Sequence, residues 1–326
     1  HDLARRQRQM CIRDSLQARG SYESLLDLSI WCENNNIDRI GLPDHYIVGK
    51  QRKDKNEPAP ALDLLTAIAG LVRDTESMIY SVLVSPITFR HPSVLLKMAT
   101  TINEMAKKRF RLGVGTGWLE IEHEVFGIDF PDLKTRFEML HEALEYITQG
   151  MFGENKGMNG KYYQLDNVPI LPSAQGEVPI IIGGGGKKKT PTLAGKYADE
   201  FNIYAGPKDV LKNSIDLFYD VANENNRDVN KLEVSTACPP VVGFTKNEVD
   251  KSLIGAAKSL IQPKDEIAKN WKDRSYLYGT PEEIAETIGM WKDAGIQSVY
   301  LQLLDLDKNK RENDIEVIRK AVELAS

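Results

Sequence analysis

Apolar residues from Ser21 onward alternate between helical spacing and short continuous runs. In SYESLLDLSIWCENNN they recur every three or four residues, and Ser21 stands where a helix cap belongs. Runs such as IDRIGL, MIYSVLVSP, RFRLGVG and VPIIIG are apolar on both faces and bounded by turn residues. Strands of this kind, alternating with amphipathic helices, predict βαβ units and a parallel sheet.

Seven strand-helix units follow Ser15, and the last joins SVYLQLL to NDIEVIRKAVELA. A closed eight-stranded parallel barrel needs one more strand, which would lie in the first fifteen residues. That segment, HDLARRQRQMCIRDS, holds four arginines and no helical or strand periodicity. The first strand is therefore predicted to be missing or replaced. Two origins stay open for residues 1–15: a non-native stretch that resembles translated sequencing adaptor, or a native flexible N terminus.

Composition excludes several classes of function. The 326 residues are 41% hydrophobic and 27% charged, which is typical of globular proteins with a sizeable core. The net charge of −5 gives no basic field for nucleic acid or anionic lipid. No apolar stretch reaches the roughly 18 residues of a membrane helix, and no signal peptide opens the chain. We expect a cytoplasmic protein that binds neither nucleic acid nor membranes.

Cysteine and histidine patterns give no support for metal chemistry. The three cysteines are too few and too scattered for a disulfide framework or a Cys-rich zinc site, which fits a reducing cytoplasm. His123 and His141 lie on helical segments without metal-ligand spacing. No metal is predicted.

Polar residues and glycines collect where the predicted strands end. In a parallel barrel, the carboxyl ends of the strands carry the active site. Four of these ends hold candidate residues, namely Asp44 with His45, the segment SPITFRHP, the segment GVGTGW, and Gly183 to Gly186. These ends are where binding or catalytic residues are expected.

The glycine run in VPIIIGGGGKKKTPTLAGKYADEF lies between a strand and a helix that is expected to start near Lys187. Glycines allow the backbone to approach a ligand, and the free N–H groups of a helix start attract an anion. The run therefore predicts a phosphate site, against the alternative of a plain flexible turn. A Rossmann dinucleotide site is less well supported because the G-x-G-x-x-G spacing is lacking. A P-loop is not predicted because no G-K-[ST] follows at the required spacing.

Six segments together resemble the luciferase-like monooxygenase family, from about Ser21 to the C terminus. They are GLPDHY, SPITFRHP, RFRLGVGTGWLEIEHEVFGIDFP, RFEMLHEALEYI, VPIIIGGGGKKKTPTLAGKYADEFN and GTPEEIAETIGMWKDAGIQSVYLQL. The block GWLEIEHEVFGIDFP is most similar to the branch of deazaflavin (coenzyme F-420)-dependent oxidoreductases. The resemblance implies one TIM (β/α)8 barrel domain over residues 16–326, with insertions near 151–175 and 245–275 that shape a substrate pocket.

The resemblance also implies which residues bind the cofactor. A bulge with a non-prolyl cis peptide at about Val82-Leu83 would support the ring, and Ser85 would hydrogen-bond the ring edge or the ribityl chain. The ring would lie flat against the small residues of GVGTGW. The full set of cofactor-binding residues is Asp44, Val82, Leu83, Ser85, Gly115, Thr116, Gly117, Gly183, Gly184, Gly185, Gly186 and Lys187.

His45 is the first candidate for acid-base catalysis, because an imidazole exchanges protons near neutral pH. The alternative is a histidine that anchors its loop, and Asp44 would either bind the cofactor or orient that loop. In sugar-phosphate-oxidising relatives the position of Trp118 is a glutamate that donates a proton, which tryptophan cannot do. The nearby Glu120, Glu122 and Glu124 are expected to form a solvated, dipole-favoured face of a helix start.

Three functions stay open on this basis. The first is an oxidoreductase that transfers a hydride between bound coenzyme F-420 and a small organic substrate. The second is an FMN-dependent monooxygenase that uses reduced flavin and oxygen, with a partner reductase. The third is a non-catalytic cofactor-binding barrel. A homodimer is consistent with the family, in which dimers are common.

Overall fold

A computed structural model describes residues 11–15, 21–48, 54, 56, 61–153, 157–174, 178–302 and 308–325. The strands are β1 (Cys11–Ser15), β2 (Arg39–Leu42), β3 (Ile79–Val82), β4 (Ser85–Pro86), β5 (Phe110–Gly115), β6 (Met158–Asn159), β7 (Gln164–Leu165), β8 (Ile180–Gly183), β9 (Glu200–Tyr204), β10 (Glu233–Cys238), β11 (Val241–Val242), β12 (Tyr278–Gly279) and β13 (Ser298–Leu301). The helices are α1 (Tyr22–Asn34), α2 (Leu64–Asp74), α3 (Pro92–Ala106), α4 (Glu120–Phe126), α5 (Leu133–Met151), α6 (Lys189–Tyr197), α7 (Lys208–Glu224), α8 (Lys246–Leu260), α9 (Lys264–Asp273), α10 (Pro281–Ala294) and α11 (Lys308–Leu324). None of the described helices is long and apolar enough to cross a membrane.

Local signals in the sequence place several of these elements. The Ser21 side chain accepts a hydrogen bond from the backbone N–H of Ser24 and caps α1 as predicted. Thr280 and Glu283 form a capping box at the start of α10, with Pro281 in its first turn. All four residues of β2, and all four of β13, are buried, as continuous apolar runs predict.

A strand forms within the first fifteen residues, so the alternative of a missing first strand is wrong, whereas the alternative of a replaced strand stays a prediction. β1 pairs in parallel with β13, from Cys11 opposite Ser298 to Asp14 opposite Leu301. A ladder uses backbone N–H and C=O groups, so a segment without apolar alternation can still pair. In the described residues, β1, β2, β3, β5, β8, β9, β10 and β13 each precede a helix along the chain, which is the order of a TIM (β/α)8 barrel. The origin of residues 1–15 stays a prediction.

Two compact units make up the chain. The first unit is Leu16–Gly184 with Thr192–Glu200, and the second is His1–Ser15 with Gly185–Pro191 and Phe201–Ser326. In the first unit, β2, β3, β5 and β8 pair in parallel in that order, and β4 also pairs with β5. In the second unit, β1 and β10 both pair in parallel with β13, and β11 pairs with β12. The single domain inferred for residues 16–326 stays a prediction.

The first unit contains a buried ionic cluster that joins three of its elements. The Glu200 carboxylate accepts hydrogen bonds from Arg39 at 3.0 Å and from Arg111 at 2.7 Å. Its side chain is fully buried, and Arg39 is nearly so. Buried charges need such pairing because removing one partner leaves an uncompensated charge away from water.

Replacing Glu200 by Gln is expected to lower the free energy of unfolding by about 3–5 kcal/mol, because it removes the charge that both guanidiniums share. Urea unfolding followed by circular dichroism measures the change. The control is Glu224→Gln, which removes the same charge at an exposed position and should stay within about 0.5 kcal/mol. Equal losses for the two variants would show that the cluster does not stabilise the fold.

Candidate active site

A bulge interrupts the strand formed by β3 and β4. Tyr80 and Ser81 lie opposite Phe110 and Arg111, and the pairing with β5 resumes with Ser85 opposite Val114. The chain thus advances four residues from Ser81 to Ser85 but only three from Arg111 to Val114, so the first strand contains one extra residue. A strand bulge here agrees with the sequence prediction.

The non-prolyl cis peptide lies within this bulge, between Leu83 and Val84. The expected position, Val82-Leu83, is wrong by one residue. Val82 is still paired with Leu42 in the ladder between β2 and β3, so the departure from strand geometry begins after it. Contact of Val82 or Leu83 with a cofactor stays a prediction.

Glycines of β5 make room for the bulge. A Cβ atom on Gly113 would lie 1.9 Å from the carbonyl oxygen of Val82, and one on Gly115 would lie 2.9 Å from a methyl carbon of Val84. Gly117 has a φ of 77°, which favours glycine. Packing against the bulge therefore explains Gly113 and Gly115 without a ligand. The predicted cofactor contacts of Gly115, Thr116 and Gly117 stay predictions.

Asp44 is buried and lies in a polar cluster at the end of β2. Its carboxylate accepts a hydrogen bond from the Ser85 hydroxyl at 2.7 Å and pairs with the guanidinium of Arg90. Arg90 also pairs with Asp63, whose side chain caps α2. Burial disfavours the charge of Arg90, but the neighbouring carboxylates, Asp44 first, outweigh burial and raise its pKa. The structure thus brings together the predicted residues Asp44 and Ser85, and adds Arg90, which the sequence analysis missed.

The pKa of Asp63 is lowered, although burial opposes this shift. Hydrogen bonds from the hydroxyl and backbone N–H of Thr66, together with the charge of Arg90, stabilise the carboxylate. The cluster therefore holds one guanidinium between two carboxylates.

His45 follows Asp44 and contacts a second buried carboxylate. Its Nδ1 atom lies 3.0 Å from both carboxylate oxygens of Glu122, and Glu122 also accepts a hydrogen bond of 2.9 Å from the backbone N–H of Ile47. The side chain of Glu122 is 1% exposed and that of His45 is 12% exposed. The expectation of a solvated Glu122 is wrong. Leu119 is buried and lies three residues before Glu122, on the same helical face. This spacing was the signal in the sequence that could have predicted a buried Glu122.

Trp118 lies beside His45 with its indole ring edge-on, and the ring centroids are 5.9 Å apart. The residue is 61% exposed. An indole N–H donates a hydrogen bond but does not give up its proton at ordinary pH. Trp118 therefore adds an apolar surface next to the imidazole.

His123 has a contact at each of its two ring nitrogens. Its Nε2 atom lies 2.7 Å from the Thr88 hydroxyl, and its Nδ1 atom lies 2.9 Å from the carbonyl oxygen of Leu119. The ring packs between Phe89 and Phe130. Among the described residues, no three His, Cys, Asp or Glu side chains are grouped so that they could hold a metal ion.

The glycine run begins at the end of β8, where Gly183 is the last residue of the strand and Gly184 has a φ of 150°. In the second unit, a Cβ on Gly185 would lie 2.7 Å from the ring of Tyr204, and one on Gly186 would lie 2.5 Å from the hydroxyl of Thr190. The helix α6 begins at Lys189, two residues later than expected. Gly185 to Lys189 are exposed, so a ligand can reach this backbone.

Replacing Gly113 by Ala is expected to lower the free energy of unfolding by about 1–3 kcal/mol, since the added methyl overlaps the Val82 carbonyl. Urea unfolding checks the loss. Gly255→Ala is the matched control, because Gly255 lies inside α8 with open space around it and the change should stabilise by up to about 1 kcal/mol. A Gly113→Ala protein as stable as the parent would mean that the bulge tolerates a side chain there.

Comparisons with known proteins agree on one family. A family model described as luciferase-like monooxygenase matches residues 9–298. The F420-dependent glucose-6-phosphate dehydrogenase of Nakamurella multipartita is 32% identical over 183 residues, which are 56% of this chain and 52% of the relative, so this match spans about half of the relative's length. The same-named protein of Amycolatopsis mediterranei is 25% identical over 295 residues, covering 83% of this chain and 86% of the relative.

A solved structure shares the fold. It is an F420-dependent secondary alcohol dehydrogenase in complex with an F420-acetone adduct, and it superimposes with a TM-score of 0.78 at 22% identity. The match covers 96% of this chain and 99% of the other.

Proposed function

This chain belongs to the luciferase-like monooxygenase family, and we propose that it transfers a hydride between coenzyme F-420, a deazaflavin, and a small organic substrate. The observation that carries the choice of cofactor is the similarity to F420-dependent relatives, which extends over 86% of one of them. The FMN-dependent monooxygenase is the second candidate. The two differ in chemistry, because a deazaflavin does not form the flavin hydroperoxide that oxygen activation requires.

The glycine loop fits the phosphate of such a cofactor. Gly185 and Gly186 have no side chains to cover the backbone just before the start of a helix. A Cβ on Gly185 would overlap Tyr204, and one on Gly186 would overlap Thr190. Helix starts attract anions through free N–H groups, and Lys187 adds an exposed positive charge. Gly183, Gly184, Gly185, Gly186 and Lys187 are therefore proposed as the phosphate site.

The bulge at Leu83-Val84 and the segment Gly115 to Gly117 are proposed to hold the ring. Ser85 lies at the start of β4, where its hydroxyl is fixed by Asp44. Asp44 is in turn held by Arg90, so its role is to orient this part of the site. These side chains are buried and locked by hydrogen bonds, as binding sites require.

When bound, the deazaflavin supplies the carbon that takes or gives the hydride. His45 is proposed to take or give the proton of the substrate hydroxyl, because an imidazole does this near neutral pH. Trp118 lies next to His45 and offers an apolar surface without an acidic proton. Glucose 6-phosphate, the substrate named for the relatives, is therefore a poor candidate here, and alcohols, imines and activated alkenes are better ones.

The cellular compartment and the partners of the protein are also proposals. The net charge of −5 and the buried cysteines Cys32 and Cys238 are proposed to fit a reducing cytoplasm without nucleic acid partners. A homodimer is proposed because dimers are common in the family. A reductase partner is required only in the FMN-dependent alternative.

Titration of the purified protein with F420 and, separately, with FMN tests the cofactor, with cofactor fluorescence as the signal. We expect saturable binding of F420 and much weaker binding of FMN. Gly185→Ala should weaken F420 binding at least about tenfold because the methyl overlaps Tyr204, whereas Gly206→Ala, which has open space around it, should not. Binding of FMN alone would replace this proposal by the monooxygenase.

His45→Asn is expected to lower kcat for the F420-dependent reaction by about 10²- to 10⁴-fold, because it removes the proton-transfer group. Its Kd for F420 should stay within about threefold of the parent. His91→Asn is the control, since His91 is exposed and caps α3, a position where asparagine works well. Unchanged turnover in His45→Asn would rule out His45 as the acid-base group.

A further inference from the structure

The imidazole of His45 is held from its Nδ1 side. Both oxygens of Glu122 lie 3.0 Å from Nδ1, and the ring of Trp118 lies at nearly a right angle to the imidazole, with the centroids 5.9 Å apart. The carboxylate itself is fixed, because its Oε1 atom accepts the Ile47 backbone N–H at 2.9 Å. The orientation of the ring is therefore set by a group that is buried and held by a further hydrogen bond.

Hydrogen-bond chemistry then assigns the tautomer. A carboxylate only accepts hydrogen bonds, so the proton of a neutral imidazole beside it belongs on Nδ1. The lone pair is left on Nε2, which becomes the atom that can take a proton. The short helix α4 that carries Glu122 is held by His123, which bonds both Thr88 and the Leu119 carbonyl.

We propose that Glu122 is a positioning residue that fixes the tautomer and orientation of His45, so that Nε2 is the atom that exchanges the substrate proton. The catalytic part rests on the proposed function, whereas the tautomer does not. As an alcohol loses its hydride, its hydroxyl proton passes to Nε2, and the positive charge that forms on the ring lies against the Glu122 carboxylate. The ring returns the proton to solvent afterwards.

The test is ¹⁵N NMR of histidine-labelled protein without cofactor, at alkaline pH where imidazole is neutral. We expect the proton of His45 on Nδ1 in the parent. In Glu122→Gln the amide nitrogen can face Nδ1 as a donor, so the Nε2–H tautomer should gain population. An Nε2–H tautomer in the parent would overturn the proposal whether or not the variant folds, and an unchanged tautomer in a folded Glu122→Gln protein would overturn it as well.

Steady-state kinetics adds the catalytic readout. Glu122→Gln should lower kcat by about 10- to 100-fold with KM within about threefold, because orientation and not binding is lost. Glu120→Gln is the matched control, an exposed acid on the same helix turn that should leave the tautomer and kcat unchanged. A tautomer that shifts without any loss of kcat would overturn the catalytic part. If F420 supports no turnover in any form of the protein while the tautomer shifts, the proposed function fails and the positioning role stands.

Discussion

The candidate site depends on one buried ion pair, between Asp44 and Arg90. Asp44 follows β2, Arg90 precedes α3, and the same cluster takes in Ser85 of β4 and Asp63 at the start of α2. Breaking a buried pair leaves a charge away from water and typically costs several kcal/mol. The cluster thus fixes the segments around the bulge relative to one another within the first unit. The position of His45 depends on this cluster, since His45 is the next residue after Asp44.

The bulge imposes a second constraint, which accounts for the spacing of glycines in β5. The extra residue pushes the Val82 carbonyl and the Val84 side chain toward β5, where only glycine leaves room. The first two glycines of GVGTGW are therefore explained by packing against the bulge, and the third is explained by its positive φ. The glycines of this segment are thus required by the geometry of the strand, although the segment resembles a ligand-binding motif. Contact with a cofactor is not needed to explain them.

Local signals predicted most helices and strands, because caps such as Ser21 and Thr280 and apolar periodicity act within a few residues. Interactions between distant segments were harder to predict. β1 was missed because CIRDS carries no apolar alternation and is held by pairing with β13. Glu122 was misjudged because its buried face depends on His45, 77 residues away. The cis peptide was misplaced by one residue because the ladder with β2 extends through Val82.

Trp118 has no acidic proton, but the imidazole of His45 lies beside it. Here a buried glutamate stands four residues further along and contacts the imidazole instead of facing outward. In the proposed arrangement this carboxylate orients the imidazole, and the exposed indole of Trp118 provides an apolar surface beside the histidine. In the proposed site, proton transfer therefore belongs to His45 with Glu122, and the exposed apolar surface beside them belongs to Trp118.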